Sequence, residues 1–134
     1  MALKVPDAAE RVMLEAIVNK TAPQDSRLKL YTSNTTPAEG DTEATYTEAS
    51  GNGYADKALA GSSWGAASTG GGTSSIAFAE QTFTLTGALG NVYGYFIVQE
   101  TSGKILWAER FSNGPYDIQN NGDQIKVTPK IELE

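Results

Sequence analysis

The chain has 134 residues, with ten Lys and Arg against sixteen Asp and Glu for a formal charge of −6, and it contains neither His nor Cys. That composition excludes Ser-His-Asp and Cys-His nucleophiles, His- or Cys-liganded zinc, disulfides and Fe–S clusters. It also argues against nucleic acid and anionic membrane surfaces as partners, because the net field repels phosphate and the cations are scattered singly. The length suits one domain around one core.

The segment from Pro6 to about Asn19 carries helical signals. Pro6 suits a first turn, Asp7 and Glu10 complement the positive end of the dipole, and Ala9, Met13, Ala16 and Ile17 share a face. Val12, Leu14 and Val18 broaden that apolar surface, which predicts contacts on more than one side. Residues 1–24 are therefore expected to form an N-terminal helical arm, and residues 25–134 a β domain. Asp7, Glu10, Arg11 and Glu15 break up any signal-peptide pattern, and no apolar run has the length of a membrane span, so synthesis and assembly in a cytoplasm are expected. Two N-x-S/T sequons, at Asn19 and Asn34, are read as coincidence.

Arg27 to Thr32 alternates as a half-buried strand. From Ser33 to Ser50 the chain turns to Thr, Glu, Asp and Ala, which predicts a long surface excursion. Tyr54 to Leu59 reads as a short strand, and the stretch 61–75, with Gly70-Gly71-Gly72 inside it, reads as a second, flexible loop. Short segments of strand composition follow at Ile76/Phe78, Phe83/Leu85, Tyr93–Val98, Ile105–Phe111, Tyr116/Ile118 and Ile125/Val127. Asn113-Gly114 and Asn121-Gly122 between them suggest tight type I′ hairpins and hence a β-meander. The last segment puts Ile125, Val127, Ile131 and Leu133 on one face, and Pro129 predicts that it runs along an edge or breaks in two. The expected fold is all-β, a β-sandwich or jelly-roll-like barrel with one N-terminal α-helix.

Carboxylates are the main acid/base equipment left. Glu109, Asp117 and Asp123 lie in or beside strands, but a structural role outweighs a catalytic one. Glu109-Arg110 should point to opposite faces of a strand, leaving one of them in need of an inward partner. Glu39, Asp41, Glu43 and Glu48 depart from a Ca²⁺-loop pattern and read as solvated acids. The Gly-rich stretches lack a phosphate-binding fingerprint. No cofactor or metal is expected, and the chain reads as non-enzymatic. Among the aromatics, Tyr93, Tyr95 and Trp107 read as core. Trp64, in a Ser/Gly-rich stretch, is the candidate exposed binding aromatic.

Several stretches gain meaning when read together. They are Leu30-Tyr31-Thr32-Ser33-Asn34-Thr35-Thr36-Pro37 leading to Gly53-Tyr54-Ala55, then Tyr93-Gly94-Tyr95-Phe96 with Leu106-Trp107-Ala108-Glu109-Arg110-Phe111, then Gly114-Pro115-Tyr116 and Asn121 to Pro129. This pattern resembles small virion structural proteins of tailed bacteriophages, particularly those that decorate or cement the capsid. It runs from about Leu28 to Pro129, is strongest after Ser75 and includes no catalytic signature. The resemblance implies a β-rich subunit of the virion, often a homo-oligomer, that binds the lattice of major capsid protein. The helix (Val12, Met13, Ile17) and the C-terminal strand (Ile131, Leu133) are then the expected contacts with neighbouring subunits. The alternatives are a tail or fibre-adaptor component and a carbohydrate-binding module that uses Trp64.

Overall fold

The computed structural model describes residues 3–134. The fold is all-β with a single N-terminal helix. Strands β1 (Ser26–Tyr31), β2 (Lys57–Leu59), β7 (Gly94–Gln99) and β8 (Ile105–Arg110) form an antiparallel sheet in the order β2-β1-β7-β8. Three small sheets accompany it. They pair β5 (Gln81–Thr84) with β10 (Gln124–Val127), β6 (Gly90–Val92) with β9 (Tyr116–Ile118), and β4 (Thr73–Ala77) with both β3 (Ser68–Gly70) and β11 (Lys130–Leu133).

Alternation along each strand sends side chains to two faces of the main sheet, and both faces are covered. On one face, Leu28, Leu30, Ile97 and Trp107 pack with Phe83, Leu85, Ile125 and Val127 from the β5/β10 side of the molecule, giving a sandwich-like core. On the other, Tyr31, Phe96, Val98, Ile105 and Ala108 pack with Tyr46. Every residue of β7 is buried as a result. A β-bulge at Leu106 brings Ile105 to the second face: Ile97 pairs with Trp107, yet Val98 pairs with Ile105. Without that extra residue, Ile105 would fall on the same face as Trp107.

The helix α1 spans Asp7–Ile17, with Pro6 at its N-cap and Asn19 in the left-handed region (φ 57°) just past its end. The segment before it is stitched to the edge of the main sheet. Lys4 and Ala108 exchange both backbone hydrogen bonds at 2.9 and 3.0 Å, and Asp7 N–H donates to Glu39 O. Ala9 is fully buried, and the helix lies against β8.

Three sequence expectations are corrected. The acidic stretch 33–50 is no free excursion: Tyr46 and Ala49 are buried and close the two faces of the sheet, while Tyr31 and Glu48 form an isolated bridge. The stretch 61–75 is not one loop, since Gly71 (φ 60°) and Gly72 (φ 86°) make the tight turn of the β3-β4 hairpin. Glycine meets the double positive-φ requirement of a type I′ turn without strain, so the same residues that suggest flexibility fix a reversal. Finally, the strands do not form a simple meander. β1 pairs with β7, β5 with β10 and β6 with β9, and the Asn113-Gly114 and Asn121-Gly122 turns lack positive φ at their asparagines.

Pro129 does break the final segment. The chain leaves β5 after Val127 and joins β4 from Lys130, with Pro129 itself buried and its carbonyl accepting from Phe78 N–H.

Candidate functional site

The acidic side chains do not converge on a common site. Asp123 accepts the backbone N–H groups of Gln119 and Asn120 at 3.0 Å each, and Asp117 accepts from the Gln119 side chain. Glu109 accepts from the Tyr95 hydroxyl at 2.9 Å, and Arg110, on the other face, binds Thr35 O and Asn34 Oδ1 and lies over the Tyr93 ring. The expected inward partner of the Glu109-Arg110 pair is thus a tyrosine. In the acidic stretch, Glu39 pairs with Lys4, Glu48 with Lys29, and Asp41 accepts from Tyr46 Oη at 2.6 Å. Among the described residues no group of three or more acidic side chains is placed to hold a metal ion.

The buried phenols are structural donors. Burial pushes the hydroxyls of Tyr46, Tyr54 and Tyr95 well above the ordinary phenol range, and that of Tyr31 up to about 12. Groups so held keep their protons at neutral pH, which suits hydrogen bonding to Asp41, Glu48 and Glu109 and unsuits them as bases.

The most distinctive surface feature is an apolar groove of about 380 Å³ between the helix and the sheets. Val12, Met13 and Ala16 of α1 form one wall, Trp64, Leu106 and Trp107 line its floor, and Ile76 and Ile131 close the other side. Polar groups enter it through Gln24, Ser26 and Gln99. Three residues expected as subunit contacts, Val12, Met13 and Ile131, therefore meet in one place with Trp64, the candidate binding aromatic.

Their exposure differs from the expectation. Trp64, expected to be exposed, is half-buried: the short turn at Gly61–Ser63 lays it edge-on to Phe78 at 5.3 Å and 6.1 Å from Trp107. Val12, Met13 and Ile131 are half-buried as well. The free apolar surface lies beyond them, at Ile17 (80% exposed) and Leu133 (66%). Leu14 (64%) and Val18 (72%) join Ile17 at the i, i+3, i+4 spacing that puts three side chains on one helix face. Sequence reasoning singled out only Ile17 of these three as a contact, because an apolar surface around most of the helix does not reveal which side meets the sheet.

No helix among the described residues is long and apolar enough to cross a membrane. No protein-family model matches the chain, and comparison with curated proteins and with solved structures gives no match either.

Proposed function

We propose that the chain is a non-enzymatic structural subunit of a tailed-bacteriophage virion, one that decorates or cements the capsid by binding the lattice of major capsid protein. The observation that carries this reading is the apolar stripe of Leu14, Ile17 and Val18, presented by a helix whose opposite side is anchored to β8. Three large apolar side chains exposed together on a rigid element are costly to leave in water and are suited to docking on another protein. The interior supports the same role, since its titratable groups are engaged in pairs that fasten one segment to another.

The partially buried packing of Trp64 against Phe78 and Trp107 disfavours the carbohydrate-binding alternative, which calls for a flat exposed ring. The test is imaging of particles assembled with and without the chain, followed by thermal challenge. Added density on the shell and a higher disruption temperature are expected. Equal stability with no missing density overturns the proposal, and low-copy density at the tail replaces it with a tail component.

A further inference from the structure

The structure assigns a self-complementary edge to β11: two copies of this chain join by antiparallel pairing of Lys130–Leu133 about a two-fold axis at Ile131. This rests on reading the chain as an assembling subunit, and it names the first partner as a second copy of itself.

The argument begins with the direction of backbone groups. Pro129 O accepts from Phe78 N–H, and the same register continues through Lys130↔Ala77, Ile131↔Ile76, Glu132↔Ser75 and Leu133↔Ser74. In an antiparallel ladder the hydrogen-bonded pairs alternate, so Pro129, Ile131 and Leu133 turn their backbone groups toward β4. Lys130 and Glu132 turn theirs outward. β11 lies at the end of its sheet, in the order β11-β4-β3, and Lys130, Glu132 and Leu133 are exposed. Among the described residues these outward N–H and C=O groups have no backbone partner, and such a row is a template for another strand.

Charge selects the occupant. With the axis at Ile131, Lys130 stands opposite Glu132 of the second copy and Glu132 opposite its Lys130, and each of these pairs exchanges both backbone hydrogen bonds. Ile131 meets its own counterpart between them. An edge protected against pairing would carry charges that repel in this register; here the signs alternate and match, and Lys130 and Glu132 already pair along their own strand. The opposite edge of the same sheet, β3, offers only Ser68, Thr69 and Gly70, which specify no register. Joining two β11 edges gives one continuous sheet in the order β3-β4-β11-β11-β4-β3 and covers Leu133. An isologous contact of this kind closes on itself and stops at a dimer.

The test begins without shell proteins, with the mass of the full chain in solution and analytical ultracentrifugation of three variants, and co-sedimentation with empty shells is read afterwards. Glu132→Pro removes an N–H that the chain's own ladder does not use, so the fold and melting temperature are retained while the dimer is lost. Lys130→Glu places like charges opposite each other twice and raises the dimer Kd about tenfold or more. The double variant Lys130→Glu/Glu132→Lys restores the pairing, which an axis one residue away does not allow. A wild-type chain that stays monomeric at millimolar concentration overturns the inference, as does a Glu132→Pro dimer as tight as wild type or a double variant that fails to recover. A monomer that still coats capsid shells overturns the self-pairing alone, whereas a β11 dimer that binds no shell leaves it standing and removes the virion reading.

Discussion

The Tyr46 ring stacks on Phe96, with 5.2 Å between centroids and 19° between planes, and through this contact the acidic segment is fastened to β7, one of the two inner strands of the main sheet. The ring also lies 4.9 Å from that of Tyr31, and its hydroxyl holds Asp41. Removing the side chain takes away the ring that packs on Tyr31 and Phe96, so Tyr46→Ala should cost about 3–4 kcal/mol. Tyr46→Phe keeps the stack and loses one hydrogen bond, for a cost of about 1 kcal/mol. Urea denaturation of the two variants checks the ratio. Equal and negligible losses would show that the segment lies loosely on the sheet.

Gly94 is the most closely packed glycine among the described residues. A Cβ there would collide with Glu109 O on the neighbouring strand and stand 2.5 Å from the Tyr31 hydroxyl. The first is backbone in the register of the β7-β8 pairing, and the second belongs to a fully buried ring, so neither yields cheaply. Gly94→Ala is expected to cost about 3 kcal/mol and to lower the thermal midpoint. Gly40→Ala, where a Cβ meets nothing within 4 Å, is the control and should stay within about 0.5 kcal/mol of wild type.

Local rules accounted for elements more than for partners. The helix was legible because Pro6, Asp7 and Glu10 mark its start, and most strands because large apolar residues alternate over short spans. The burial of Tyr46 and Ala49 was not, since two anchors in a Thr- and Glu-rich stretch have no period to reveal them. Pairing β1 with β7, or β5 with β10, depends on contacts between distant segments that no local pattern encodes. The candidate site is legible as separate residues: Val12 and Met13 from the broad apolar surface of the helix, Ile131 from the alternation of the last strand, and Trp64 from its Ser/Gly-rich surroundings. Only the placement of α1 against β8 and of β11 beside β4 turns them into one groove, and leaves Leu14, Ile17 and Val18 facing out.

Arg27 links three segments, binding Asp56 through Nε and Nη2 at 2.9 and 2.7 Å and Glu100 at 3.0 Å. The guanidinium holds the Asp56 carboxyl below the ordinary carboxylate range. A carboxylate with a depressed folded-state pKa contributes stability that is complete above its unfolded pKa, about 4, and is lost as pH falls through the folded value. Asp56→Asn should therefore cost about 1 kcal/mol at neutral pH, because the pair is partly solvated, and the difference from wild type should shrink in strong acid. Chemical denaturation at pH 7 and below pH 3 measures both. A gap that stays constant with pH would assign the cost to packing instead.

Alkali should act through the phenols. Burial raises the folded-state pKa of Tyr31 to about 12 and those of Tyr46, Tyr54 and Tyr95 further still. The folded protein then holds these protons more tightly than the unfolded chain does. Their contribution is complete below about pH 10 and is lost as pH rises through the folded values. Ultraviolet titration is expected to show four of the six tyrosines ionising late, together with the loss of near-ultraviolet circular dichroism. Smooth ionisation of all six near pH 10 in a folded protein would contradict the packing of Tyr46 and Tyr54.

Docking and folding should separate on the helix. Ile17 is 80% exposed at the last helical position, where no basic residue complements the negative end of the dipole. Ile17→Lys removes apolar surface that the chain itself does not bury and adds a charge of the favourable sign, so the melting temperature should hold or rise slightly. Met13, one turn earlier, lines the groove and is half-buried, and Met13→Ala should cost about 1–2 kcal/mol. If the stripe of Leu14, Ile17 and Val18 docks on capsid shells, Ile17→Lys weakens shell binding by about tenfold or more, the loss expected for one large apolar contact. Co-sedimentation with empty shells, alongside thermal melts, reads both effects. Unchanged binding by Ile17→Lys and by Leu14→Lys would remove the helix from the interface.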